Sequence, residues 1–184
     1  SMTDLIEGAR GLGVELEQAQ CAKLIQHLDL LDDWNTRMNL TAIRERPAQI
    51  TKHILDSLTL VPWLRGRRVA DIGSGAGFPG IPLAIVEPHR YFTLIESTGK
   101  KCRFLEHVRD ALELKNVAVV QSRAESYKPD IRFDTVLARA VGPALGGLLL
   151  SFTGSAWVFL FNCLCYLGLI AAIWQWRREV PVRQ

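Results

Sequence analysis

The stretch Val69-Ala70-Asp71-Ile72-Gly73-Ser74-Gly75-Ala76-Gly77-Phe78-Pro79-Gly80-Ile81-Pro82 constrains the fold more than any other part of the chain. A short apolar run that stops at a cluster of glycines is how a buried parallel strand ends in a tight loop before a helix. Glycine at 73, 75 and 77 removes the Cβ atoms that would hold a ligand away from the main chain, and it permits φ > 0 where the turn needs it. The loop therefore reads as a nucleotide site, with Gly73 and Gly75 as binding positions.

Two nucleotide readings compete. A G-x-G-x-x-G dinucleotide loop needs its third glycine at position 78, which here is Phe78, and the third glycine comes one residue early. Asp71, two residues before the first glycine, can accept from an ammonium or a loop amide, which suits the amino-acid part of S-adenosylmethionine better than a pyrophosphate. Tyr91 to Glu96 reads as the next strand and ends in an acid able to accept both ribose hydroxyls of an adenosine, so Glu96 is a cofactor candidate in either reading.

Strands at Val117–Gln121 and Phe133–Ala138, with helices between, complete an alternation that predicts a doubly wound, mostly parallel α/β sheet with its ligand beyond the carboxyl ends of the strands. Gly73, Glu96, Glu125 and Arg139 all fall at such ends. Upstream, apolar residues at Cys21, Leu24, Ile25, Leu28, Leu31 and Trp34 predict an amphipathic helix over 17–38. A shorter helix is expected over 3–12 and another from Pro47 to about Leu60. In the last, His53, Asp56 and Ser57 share a face, either as a locally paired polar set or as a functional one. Lys100, Lys101, Arg103 and Arg109 make the helix expected from Gly99 through Leu114 the most basic stretch, read as a solvated face or as phosphate contacts. The expected organisation is an N-terminal helical cap over 1–62, a Rossmann-like core over 63–150 and a divergent or truncated tail over 151–184.

Four cysteines with no CxxC pair and no zinc-type histidine spacing argue reduced thiols and no metal. With no signal-peptide pattern at the start, a cytoplasmic protein is expected. A net charge of +3 permits an RNA partner without requiring one.

Asn39-Leu40-Thr41, Lys52-His53-Ile54-Leu55-Asp56-Ser57, the glycine loop through Pro82, Gly99-Lys100-Lys101, Gln121-Ser122-Arg123-Ala124-Glu125 and Ala138-Arg139-Ala140 together resemble the RsmG/GidB family of bacterial 16S ribosomal RNA (guanine-N7) methyltransferases, over roughly Leu24 to Val141. The resemblance implies a Rossmann-like methyltransferase fold with S-adenosyl-L-methionine as cofactor and 16S ribosomal RNA or the small ribosomal subunit as partner. It also implies that Gly73, Phe78, Ala124, Glu125 and Arg139 contact the cofactor. No general base is required for attack by guanine N7. Asp56 and Glu125 are candidates for reading the base, and Arg123 and Arg139 for phosphate or the cofactor carboxylate.

After about Leu150 the pattern departs from that family. Residues 141–175 contain no charge, and 156–174 are almost wholly apolar before Trp176-Arg177-Arg178. By length this is a membrane-span candidate; a buried core element and a frame-shifted or divergent end are the other readings. A divergent tail folded on the domain, with no membrane partner, is expected. The alternative function is a cofactor- or RNA-binding domain of this fold that the atypical tail has impaired as a catalyst; a small-molecule acceptor is a further enzyme reading.

Overall fold

A computed structural model describes residues 1–138, which lie in one compact unit, Ser1–Val141. Arg139 and the expected tail over 151–184 lie outside the described residues.

Helix α1 (Met2–Gly11) starts at a capping box, in which the Ser1 hydroxyl accepts from the Asp4 N–H and the Asp4 carboxylate reaches back to Ser1. Helix α2 (Gln18–Asn35) carries the expected stripe, burying Cys21, Leu24, Leu28 and Leu31. It ends three residues earlier than the periodicity predicts, because Asn35 turns inward to hold the departing chain. The Asn35 Oδ1 accepts from Leu40 N at 2.8 Å and from Thr41 N at 3.2 Å, and its Nδ2 donates to Thr41 O at 2.9 Å.

The segment expected as one helix from Pro47 is three pieces run together: α3 (Arg46–Gln49), a π-helical turn (Ile50–Leu55) and α4 (Asp56–Leu58). The widened turn divides the trio that an ideal helix would put on one face. His53 and Ser57 are buried while Asp56 is exposed, and the Ser57 hydroxyl donates to the His53 carbonyl at 2.5 Å. Irregular turns of this kind concentrate at functional sites.

Four parallel strands form the sheet, β1 (Arg68–Ile72), β2 (Tyr91–Glu96), β3 (Val117–Gln121) and β4 (Thr135–Ala138), in the order β3-β2-β1-β4. β1 is central, pairing Ala70 with Thr93 on one side and with Val136 on the other. Its Val69, Ala70 and Asp71 are buried, as expected for a parallel strand covered on both faces. β4 begins two residues later than the sequence suggests because Asp134 serves as its anchor. The Asp134 carboxylate accepts the N–H groups of Arg67 and Arg68 at 2.8 and 2.9 Å, which holds its titration below the usual carboxylate range.

Helix α5 (Gly80–Val86) packs on β2, and α6 (Gly99–Ala111) on β2 and β3. α6 stops short of Leu114 because Glu113 adopts φ 52°, and the N–H of Leu114 turns back to Arg109 O at 2.9 Å in a Schellman closure. α2 packs against both α5 and α6, so the helices before β1 share one apolar core with the sheet, from Leu5 and Leu24 through Phe92 to Phe104.

Asn35 joins the end of α2 to the segment that presents Thr41. Asn35→Ala strips three main-chain groups of their partner and should lower the unfolding free energy by about 2 kcal/mol or more. Asn35→Asp, which keeps both acceptor bonds, should lose less; equal losses in urea unfolding would show that the packing of residue 35, and not these bonds, is what matters.

Candidate functional site

β1 delivers the glycine loop to the carboxyl edge of the sheet, beside β4, where the strand order reverses and α/β sheets bind their ligands. Gly73, Gly75 and Gly77 have φ of 71°, 56° and 90°, values that favour glycine at all three places. At Gly73 a Cβ would meet nothing within 4 Å, and at Gly75 only the Gly73 carbonyl at 3.8 Å, so both face open space in which a ligand can approach the main chain. Gly77 is different. A Cβ there would lie 2.7 Å from Ile81 Cγ1 and 3.3 Å from His27 Nε2, so the third glycine sits where a helix and an imidazole close on the loop.

Two buried carboxylates fix the loop. One oxygen of Asp71 accepts the Gly80 N–H at 3.0 Å, tying the strand end to the start of α5, so the loop-amide role is the one this acid fills. A Cβ on Gly80 would stand 2.6 Å from that oxygen, which is why position 80 is glycine too. The Glu96 carboxylate, 6% exposed, accepts Gly75 N at 2.8 Å with one oxygen and Thr98 N at 3.0 Å with the other. It braces the loop; the oxygen on Thr98 also accepts from the Ser97 hydroxyl at 3.5 Å, and the oxygen on Gly75 keeps a second lone-pair direction. The Glu96 carbonyl accepts Ser122 N at 3.0 Å, which draws the end of β3 in beside it and leads into the short 3-10 turn Ala124–Ser126. Glu125 and Arg123 are exposed there, and Ala124 is half-buried.

Phe78 is not placed as a ring that meets a ligand. Its side chain is 4% exposed and lies between two imidazoles, His27 at 4.6 Å and His53 at 4.5 Å between centroids, the second nearly parallel at 10°. The His27 Nε2 donates to the Ala76 carbonyl at 3.0 Å, and the His53 Nε2 is hydrogen-bonded to the Thr41 hydroxyl at 2.9 Å. Thr41, His53, Phe78 and Ala76 thus join the Asn-Leu-Thr segment, the π turn and the glycine loop. Sequence reasoning missed His27. The available signal was its spacing, three after Leu24 and four before Leu31, which puts it on the buried stripe of α2. Among the described residues no group of three or more His, Cys, Asp or Glu is arranged to hold a metal, and no helix is long and apolar enough to cross a membrane.

A parallel sheet of this order, a glycine loop at its reversal point and an acid at the end of the second strand define a Rossmann-like domain of the methyltransferase type. The protein-L-isoaspartate O-methyltransferase structure shares the fold, with a TM-score of 0.52 at 14% identity over 75% of this chain and 47% of that one. Residues 20–146 match the family model described as rRNA small subunit methyltransferase G (GidB). The chain is 47% identical over 137 residues to the ribosomal RNA small subunit methyltransferase G of Pseudomonas syringae pv. tomato, covering 74% of this chain and 65% of that protein. It is 50% identical over 136 residues to the same-named protein of Nitrosococcus oceani, covering 74% and 64%. The chain belongs to the rRNA small subunit methyltransferase G family. It spans just under two thirds of the length of these relatives. Residues 132–184 match a second model, described as a transmembrane secretion effector.

Burial pushes the His27 imidazole down to about 4, with the nearby His53 adding to the effect and the bond to Ala76 opposing it. Its titration in the fold therefore lies below its ordinary value near 6.5, so the unfolded chain takes up the proton first and stability is lost as pH falls from about 6.5 toward 4. Between pH 7 and pH 5 the wild type should lose about 2 kcal/mol more than a His27→Gln variant, measured by denaturant unfolding at each pH. Identical pH profiles for the two proteins would mean that this imidazole is not held neutral.

Proposed function

We propose that this chain transfers a methyl group from S-adenosyl-L-methionine to N7 of a guanosine in 16S ribosomal RNA, in the cytoplasm. The observation that carries the proposal is the unbroken likeness of residues 20–146 to the rRNA small subunit methyltransferase G family, which spans every element of the site from α2 to β4. The alternative of a catalytically impaired binding domain finds no support among the relatives, all of which bear a methyltransferase name.

The cradle suits the cofactor: open space before the Gly73 and Gly75 main chain, a braced acid at Glu96 and the Ala124–Glu125 turn beside it. In this reading Gly73, Gly75 and the main chain of Phe78 line the amino-acid side. Glu96 meets the ribose, Ala124 and Glu125 the adenine, and Arg139 the carboxylate or an RNA phosphate. When bound, the cofactor supplies an electrophilic methyl on a sulfonium.

The chain's residues have no proton to remove, because guanine N7 presents a free lone pair at neutral pH. Their work is to hold the base in line and exclude water, for which effective molarities on the order of 10⁵ M or more are the usual scale. An arginine fork on O6 and N7 would cover the nucleophile, so the base is read from its N1–H and N2–H₂ donors. Exposed Asp56, three residues after the imidazole that stacks on Phe78, is the acceptor we assign to that edge. Arg123, exposed on the far side of the strand ends, takes a phosphate.

A second reading concerns the tail alone. The match of residues 132–184 to a transmembrane secretion effector, with the uncharged stretch 141–175, favours attachment of that end to a membrane. Recovery of the full chain in the soluble fraction without detergent would remove it.

Labelled methyl from S-adenosylmethionine should appear at guanine N7 in small subunits that lack the modification. Asp56→Asn should cut kcat/KM for the RNA by about tenfold or more, the scale of one charged hydrogen bond, with cofactor affinity unchanged. Label at any other atom would overturn the reaction assigned here, and normal methylation by Asp56→Asn would overturn the role of Asp56.

A further inference from the structure

We infer that His27 is a positioning residue of the methyl-donor site: from helix α2 it sets the conformation of the glycine loop through the Ala76 carbonyl and the Phe78 ring. The inference rests on the cofactor reading above and adds to it a residue outside the sheet domain.

His27 is fully buried, and its two closest directed contacts are to the loop: the Nε2 hydrogen bond to Ala76 at 3.0 Å and the stack on Phe78 at 4.6 Å, with Phe104 of α6 a wider ring neighbour at 6.4 Å. Among the described residues its Nδ1 is buried and has no hydrogen-bond partner. That is an unfavourable way to fill space, since an unpaired buried nitrogen lowers stability where a phenyl ring of similar size would not. Packing and stacking alone would be better served by phenylalanine. What phenylalanine lacks is the donor to Ala76.

The Ala76 carbonyl lies between the two glycines whose φ values are 56° and 90°, so the bond pins the main chain at the point where it is least restrained by sterics. Fixing this carbonyl inward turns the rest of the loop outward. Gly75 on one side gives its N–H to Glu96, and Phe78 on the other is clamped against His53. A Cβ on Gly77 would press on Ile81 Cγ1 at 2.7 Å, on Leu105 Cδ2 at 3.2 Å and on the His27 Nε2 at 3.3 Å, so the imidazole is one of three groups that close on this glycine.

The test uses the full chain with S-adenosylmethionine as the probe, comparing wild type, His27→Phe and His27→Gln. The phenyl variant keeps the volume and the stack but removes the donor, and the amide variant restores a donor. Calorimetry should show the dissociation constant raised about tenfold in His27→Phe and within about threefold of wild type in His27→Gln. In methyl transfer, KM for the cofactor should rise in the phenyl variant while kcat at saturating cofactor and KM for the RNA stay within about twofold; a mere loss of folded protein would lower kcat and leave KM alone. A folded His27→Phe that binds the cofactor like wild type overturns the inference.

A second measurement needs no variant. The buried His27 Nε2–H proton of the wild type should give a slowly exchanging resonance that shifts when the cofactor is added, and a resonance indifferent to the cofactor overturns the inference even if His27→Phe does not fold. Failure of the wild type to bind S-adenosylmethionine at all would be a different result, removing the cofactor reading itself.

Discussion

The site depends on one stack of three rings. Phe78 belongs to the loop that leaves β1, His27 to α2 and His53 to the π turn, so the stack is where three separately folded pieces of chain are brought into register. Aromatic pairs of this geometry contribute about 1 kcal/mol each beyond their buried area. That sum is modest, but it is directional, and its two ends are tied by hydrogen bonds, His27 to the loop itself and His53 to Thr41. Thr41 is in turn held by Asn35 at the end of α2. The chain thus runs from α2 through the Asn-Leu-Thr segment and the π turn to the glycine loop and back to α2, a closed circuit of contacts around the ligand side of the sheet. Trp34 and Phe104, packed at 5.5 Å, extend the same aromatic layer to α6.

Much of this was legible from the sequence, for reasons that differ by element. The alternation of apolar runs with helical periods marks a parallel α/β sheet, because buried parallel strands and amphipathic helices leave distinct patterns. β2 and β3 come out with the expected bounds, Tyr91–Glu96 and Val117–Gln121. The ends of α2, α6 and β4 were misjudged where one polar residue overrides the periodicity: Asn35 capturing the chain, Glu113 entering the left-handed region, Asp134 anchoring two amides. None of these acts through hydrophobicity, so none leaves a trace in its period. The π turn was illegible for a related reason, since one extra residue in a turn changes which side chains share a face without changing composition.

The glycines and the strand-end acid that the sequence singles out lie together at the carboxyl edge of the sheet, whereas His27 goes unread there. Glu96 reads from sequence as a ribose acceptor, and the fold shows it bracing Gly75 and Thr98. Phe78 reads by family likeness as a cofactor contact, and its ring is turned away from the cradle into the stack. The early third glycine looked like a departure from a dinucleotide loop. It is better understood as the place where Ile81, Leu105 and His27 close on the loop and leave no room for a Cβ.

The way the chain uses its histidines agrees with the chemistry proposed for it. An imidazole driven down to about 4 by burial, with one nitrogen committed to a carbonyl, is a poor proton acceptor at neutral pH and has no path to a substrate. In a reaction that needed a general base, two buried histidines beside the cofactor loop would be misplaced. Attack by guanine N7 needs none, and in the reaction proposed the rate rests on how well the base and the methyl donor are brought together and aligned. Rigid, flat side chains fill the space between helix α2, the π turn and the glycine loop. Side chains that exchange protons at a surface are used here, buried, in the packing that holds the glycine loop in place.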